Sequence, residues 1–62
     1  RYDDAIATAD LCIQLEPTYT DPYIIKGLAL MQKGDKDEGR KVLGKAKELG
    51  DSRAQGYLDK YK

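Results

Sequence analysis

The sequence predicts an all-α fold built of antiparallel helix-turn-helix repeats and closed by a C-terminal capping helix. Three observations lead there. The chain of 62 residues repeats a pattern at a spacing of 34: Ala5 returns as Gly39, Cys12 as Ala46, Leu15 as Leu49, Tyr23 as Tyr57, and the acidic pair Asp3-Asp4 as Asp37-Glu38. That is the length of a two-helix unit that stacks on its neighbours into a solenoid. Apolar residues recur at helical spacing between Pro and Gly punctuation, as amphipathic helices require. No stretch alternates apolar and polar residues between turn residues, so nothing reads as a strand.

The first helix is expected over residues 2–15, where Tyr2, Ala5, Ile6, Ala9, Cys12 and Ile13 keep helical spacing. Asp3 and Asp4 sit in its first turn, where the helix dipole favours negative charge. Pro17 ends it. Asp21 reads as the N-cap of a second helix over 21–33, because Pro22 at the first helical position gives up only an amide without a helical partner. Gly34 can take the left-handed conformation that closes this helix, and Asp35-Lys36-Asp37-Glu38 reads as a capping box opening a third over 36–49. Val42, Leu43, Ala46 and Leu49 form its apolar side. Gly50 is the next stop, and Ser52-Arg53-Ala54-Gln55 reads as a second capping box before a short helix over 53–61. Every connection spans only a few residues, which makes consecutive helices antiparallel neighbours. Gly27 and Gly39 each cost about 1 kcal/mol inside a helix relative to Ala, and are expected where two helix backbones meet closely. Gly44 is assigned to an exposed face.

Tyr23-Ile24-Ile25-Lys26-Gly27-Leu28-Ala29-Leu30 resembles the first-helix signature of a tetratricopeptide repeat: an aromatic residue, a leucine-glycine pair, then another large apolar residue. Ala5, Ala9 and Pro17, and more loosely Gly39, Leu43 and Asp51, are similar to the second-helix signature of small and apolar residues followed by proline. Lys26 stands where the family has leucine, Ala9 where it has a bulky aromatic, and Asp51 where the closing proline falls. The resemblance divides the chain into residues 1–19 as the second helix of a partial repeat, 20–51 as one full repeat, and 52–62 as the capping helix. It implies a protein-protein interaction scaffold that binds a peptide or helix of a partner along an apolar concave face. Ile24, Leu28 and Met31 fall on the side similar to that face, and the expected partner-binding set is Asp21, Ile24, Ile25, Leu28, Met31 and Gln32. Family members that clamp a terminal carboxylate offer Lys, Asn and Arg there, whereas this chain offers isoleucine and leucine. Tyr23 and Tyr57, which recur at the repeat period, are read as core aromatics.

Composition excludes several other functions. Histidine is absent, which removes imidazole as base, triad member or metal ligand. Gly39-Arg40-Lys41-Val42-Leu43-Gly44-Lys45-Ala46 matches a phosphate-binding loop up to its last residue, but Ala46 replaces the hydroxyl that holds magnesium, and the segment falls inside a helix. Asp35-Lys36-Asp37-Glu38-Gly39 begins like a calcium loop, yet lacks a ligand at Gly39 and a closing Glu at Ala46. Neither a metal nor a cofactor is expected, and no catalytic residue is assigned. Eleven basic and eleven acidic residues cancel, so net charge recruits neither nucleic acid nor an anionic membrane. Arg40, Lys41, Lys45 and Lys47 are read as a solvated basic face. No apolar run approaches the roughly 20 residues of a membrane helix. The single Cys12 is read as a small buried hydrophobe and points to a reducing compartment, although localisation stays open.

Two readings of function remain beside each other. The chain is an interaction scaffold, or it is the structural cap of a longer solenoid whose binding surface lies elsewhere, with Asp59, Lys60 and Lys62 on the polar outer side of the last helix. The helix carrying Ala5, Ala9 and Cys12 leaves a strip of small residues uncovered, and upstream residues, a second copy of the chain or a partner is expected to cover it.

Overall fold

Residues 1–61 are described in the computed structural model; the outer position expected for Lys62 lies outside the described residues. The chain forms α1 (Tyr2–Leu15), α2 (Asp21–Lys33), α3 (Lys36–Glu48) and α4 (Arg53–Lys60), with no strand among the described residues. Helix ends match the expected ranges, with α3 and α4 each one residue shorter.

The C-terminal stops work as the glycines imply. Gly34 and Gly50 have φ of 111° and 100°. The Gly34 amide donates to the Met31 carbonyl and the Asp35 amide reaches back to Leu30 at 2.9 Å; Gly50 to Lys47 and Asp51 to Ala46 repeat the closure. A left-handed residue lets the chain reverse at once while satisfying the last carbonyls.

The N-terminal ends differ from expectation. No helix takes a side-chain N-cap hydrogen bond, so the capping roles of Asp21 and of the boxes at Asp35 and Ser52 are not realised. Thr20 occupies the cap position of α2, and the Asp21 carboxylate is drawn away by Tyr19 Oη, which donates to it at 2.7 Å, and by Arg53. At α4 it is Asp51, not Ser52, that accepts from the Arg53 backbone amide, at 2.9 Å.

Successive helices pack antiparallel. Lys33 near the end of α2 bonds Asp3 near the start of α1 at 2.7 Å, while Lys26 bonds Asp10 at 2.6 Å. On the other side of α2, Gly27 meets Leu43 and Met31 meets Gly39. A Cβ on Gly27 would stand 2.6 Å from Leu43 Cγ and 3.3 Å from the Gly39 carbonyl oxygen, which makes this the close backbone approach that the two glycines permit. Gly44, in contrast, faces open space.

One buried cluster joins Tyr23, Ile24, Leu30 and Met31 of α2 with Val42, Leu43 and Ala46 of α3 and Ala54 of α4. Leu43 is its fully enclosed centre. Tyr23 is buried as expected, its hydroxyl donating to the Pro17 carbonyl at 2.8 Å, and Tyr57 is half-buried against the cluster. The molecule measures 29 × 26 × 14 Å; with packed helices 8–10 Å apart, it is no more than two helices thick. Cys12 corrects its expectation: it is exposed on α1, because no helix covers that side.

Candidate functional site

The expected binding residues of α2 separate onto two faces. Asp21, Ile25, Leu28 and Gln32 follow the three- and four-residue steps of a single helical face. Ile25 is 51% exposed, Gln32 is exposed, and Asp21 and Leu28 are half-buried. Ile24 and Met31 lie apart from that face: both belong to the buried cluster, at 5% and 4% exposure. They lie two turns apart on the side turned toward α3, where the Met31 side chain occupies the space left by Gly39; a Cβ on Gly39 would come 3.0 Å from Met31 Cγ.

Ile25 also borders an open groove of about 440 Å³ between α1 and the beginning of α2. One wall is α1, contributing Asp4, Ala5, Thr8, Ala9 and Cys12; Tyr19, Asp21, Pro22 and Ile25 form the other. The strip of small residues read from the sequence is therefore one side of a real concavity. Ala9 is buried at its floor, while Tyr19 at its edge is 54% exposed. Thr8, Tyr19 and Pro22 were not anticipated as a surface. An aromatic residue in the short connection after Pro17 was the one local feature that could have drawn attention to it.

An ionic cluster fixes the far end of the groove. Arg53 bridges Asp21 and Asp51, bonding Asp51 Oδ2 at 2.7 Å, and thereby ties the first turn of α2 to the connection before α4. The guanidinium holds the carboxyls of Asp21 and Asp51 below the ordinary carboxylate value. The hydrogen bond to Asp21 raises the Tyr19 phenol, and both carboxylates raise Arg53 in turn. At the opposite end, Lys33 lowers Asp3 through its hydrogen bond, and Asp3 raises Lys33. Asp4 has no hydrogen-bonding or ionic partner among the described residues.

The other motifs are placed plainly. The phosphate-loop-like stretch from Gly39 to Ala46 is helical throughout, and the Gly39 amide is already bonded to the Asp35 carbonyl at 2.9 Å. Arg40 departs from the solvated reading, since its Nη2 donates to the Tyr61 carbonyl at 2.9 Å. Lys41 and Lys45 border a smaller cleft of about 280 Å³ in which Lys26, Asp10 and Glu38 mix both signs of charge. Among the described residues no group of three or more His, Cys, Asp or Glu is placed to hold a metal ion, and no helix is long and apolar enough to cross a membrane.

Compared with known proteins, the chain matches no family model, no curated protein and no solved structure.

Proposed function

We propose that the chain is a protein-interaction scaffold of the tetratricopeptide type, binding without catalysis a peptide or helix of a partner protein along the outward face of α2 and the groove beside it. The observation that carries this reading is the open groove of about 440 Å³, bordered by Ile25 at 51% and Tyr19 at 54% exposure. Apolar surface collected in a concavity and rimmed by charge is where soluble proteins meet partners. The repeat period, the glycine contact between α2 and α3, and the stacking of each helix on the one before it support the tetratricopeptide comparison.

Peptides selected from a displayed random library against the intact chain test the reading. Their binding should shift backbone resonances of Asp21, Ile25, Leu28 and Gln32 and those bordering the groove. Shifts confined to the charged outer side of α3, or failure to select any binder, would sink it. The alternative, a structural cap of a longer solenoid, draws support from the polar side of α4, where Gln55 Nε2 donates to Asp59 Oδ1 at 2.9 Å.

A further inference from the structure

Antiparallel packing brings the start of α2 and the start of α4 to the same end of the molecule, and the sequence period relates the residues found there. Tyr19 and Arg53 stand 34 residues apart, and both donate to one carboxylate. Tyr19 Oη reaches Asp21 Oδ2 at 2.7 Å, and Arg53 Nη2 takes Asp21 Oδ1. Among the described residues this is the one hydrogen bond or ion pair that joins α4 to α2. Asp21 and Tyr19 also line the groove beside α1. A residue of α4 therefore neutralises a carboxylate on the rim of that groove.

The two carboxylates on Arg53 are held unequally. The Asp51 side chain is 6% exposed and accepts from Arg53 three times: from Nε at 3.0 Å, from Nη2 at 2.7 Å and from the backbone amide at 2.9 Å. Asp51 thus belongs with the first turn of α4 and fixes the orientation of the guanidinium. Asp21 and Arg53 are 42% and 53% exposed at their own contact, so water and salt reach it and it is the weaker of the two. The helix behind Arg53 is lightly held. Of its eight residues only Ala54 is buried. Tyr57 and Leu58 rest half-buried on the core cluster, and Arg40 Nη2 donates to the Tyr61 carbonyl at the far end at 2.9 Å. A short element with little buried surface opens without the rest of the fold, and coupling between separate parts of a protein needs such a two-state element.

We propose that Arg53 latches α4 to the groove rim, so that α4 opens as a unit from a closed α1–α3 body and its release leaves Asp21 on the rim without its cation. Closed, the rim is neutral at this point; open, it is anionic. By linkage, a cation that takes Asp21 favours release of α4 to the same degree that release favours the cation. The latch goes beyond the interaction reading, because it operates whether or not a partner protein binds.

Amide hydrogen exchange of the intact chain near pH 7, followed by nuclear magnetic resonance, reads the latch. Asp21→Asn should raise the opening of the α4 amides from Tyr57 to Lys60 about two- to fivefold, the range that an exposed ion pair supplies, with the α2–α3 amides unchanged. Salt at about 0.5 M should do the same to the unmodified chain and add little to Asp21→Asn. Ala54→Asp, which forces α4 off by placing a charge in its buried contact, should move the side-chain resonances of Asp21 and Tyr19. Those of Asp3 and Lys33, paired at the opposite end of the molecule, should stay in place. The proposal is overturned if α4 amides are unprotected in the unmodified chain, or if Asp21→Asn and salt leave their exchange unchanged or speed that of every helix alike. It is equally overturned if Ala54→Asp strips protection from the α2–α3 amides together with α4, or leaves the Asp21 and Tyr19 resonances where they were.

Discussion

Exchanging Gly27 for alanine should destabilise this protein, although the same exchange at Gly44 should stabilise it. Alanine gains about 1 kcal/mol over glycine inside a helix at either position. At Gly44 nothing lies within 4 Å of the new methyl, so the gain stands alone. At Gly27 the methyl would fall 2.6 Å from Leu43 Cγ and 2.8 Å from Cδ2, against an optimum of about 3.5 to 4.0 Å between carbons. Leu43 is fully enclosed and has nowhere to swing, and the Gly39 carbonyl at 3.3 Å stops α2 from settling closer. Overpacking of this kind costs about 1 to 3 kcal/mol, which leaves a net loss of about 1 kcal/mol after the helical gain. For a domain this small that is a fall in melting temperature of roughly 4 to 8 °C, and Gly44→Ala should raise it by a comparable amount. Thermal and urea unfolding followed by far-ultraviolet circular dichroism measure both. Adding Leu43→Ala to Gly27→Ala should cost less than the sum of the single changes, because the new methyl enters the vacated space. A Gly27→Ala protein as stable as its parent would refute the argument from close approach.

Three further outcomes follow from the same structure. Gly34→Ala forces a side chain into φ of 111° and should lower stability by about 1 kcal/mol despite open space around it, measured by urea unfolding. Met31→Lys should unfold the chain, since it puts a charge in the buried cluster, whereas Ile25→Lys should leave the melting temperature nearly unchanged; equal loss of helicity in both would contradict the two-face division of α2. Acid should weaken the fold through Asp3, Asp21 and Asp51: each carboxyl is held below the ordinary value of 3.8, so its contribution is complete above that value and is lost as pH falls through the lower folded value. Arg53→Gln should flatten the acid limb of melting temperature against pH, and an unchanged slope would mean that the Asp21 and Asp51 contacts do not bear on folding.

Helix ranges were legible because they depend on local chemistry: Pro17 and Pro22 set one boundary, while Gly34 and Gly50 reversed the chain where positive φ was needed. The close approach at Gly27 and Gly39 was legible too, since two glycines in amphipathic helices call for a packing reason. What local sequence could not settle was rotation. Ile24, Leu28 and Met31 make one permitted helical face and Asp21, Ile25, Leu28 and Gln32 another, about 60° away, and only the placement of α3 and α4 decides between them. Ionic contacts were hidden for a related reason. Asp21 was an apt cap by its neighbours, but Arg53, 32 residues later, claims its carboxylate. Cys12 looked like a core residue because its periodicity is that of Ala46, yet α3 has a helix to cover that face and α1 leaves it to the groove.

The distribution of burial along the stack sets the order in which the molecule comes apart. Seven residues of α2 and four of α3 are buried, but only Ala9 of α1 and Ala54 of α4. Backbone amides in the two outer helices should therefore exchange with solvent through openings that leave the α2–α3 hairpin closed, and the hairpin amides should exchange last. Each end is a fraying edge with its own small opening free energy. A helix laid in the groove would lengthen the protected stretch from that edge inward, so occupancy could be read as slowed exchange across α1 without any change in the shape of the fold.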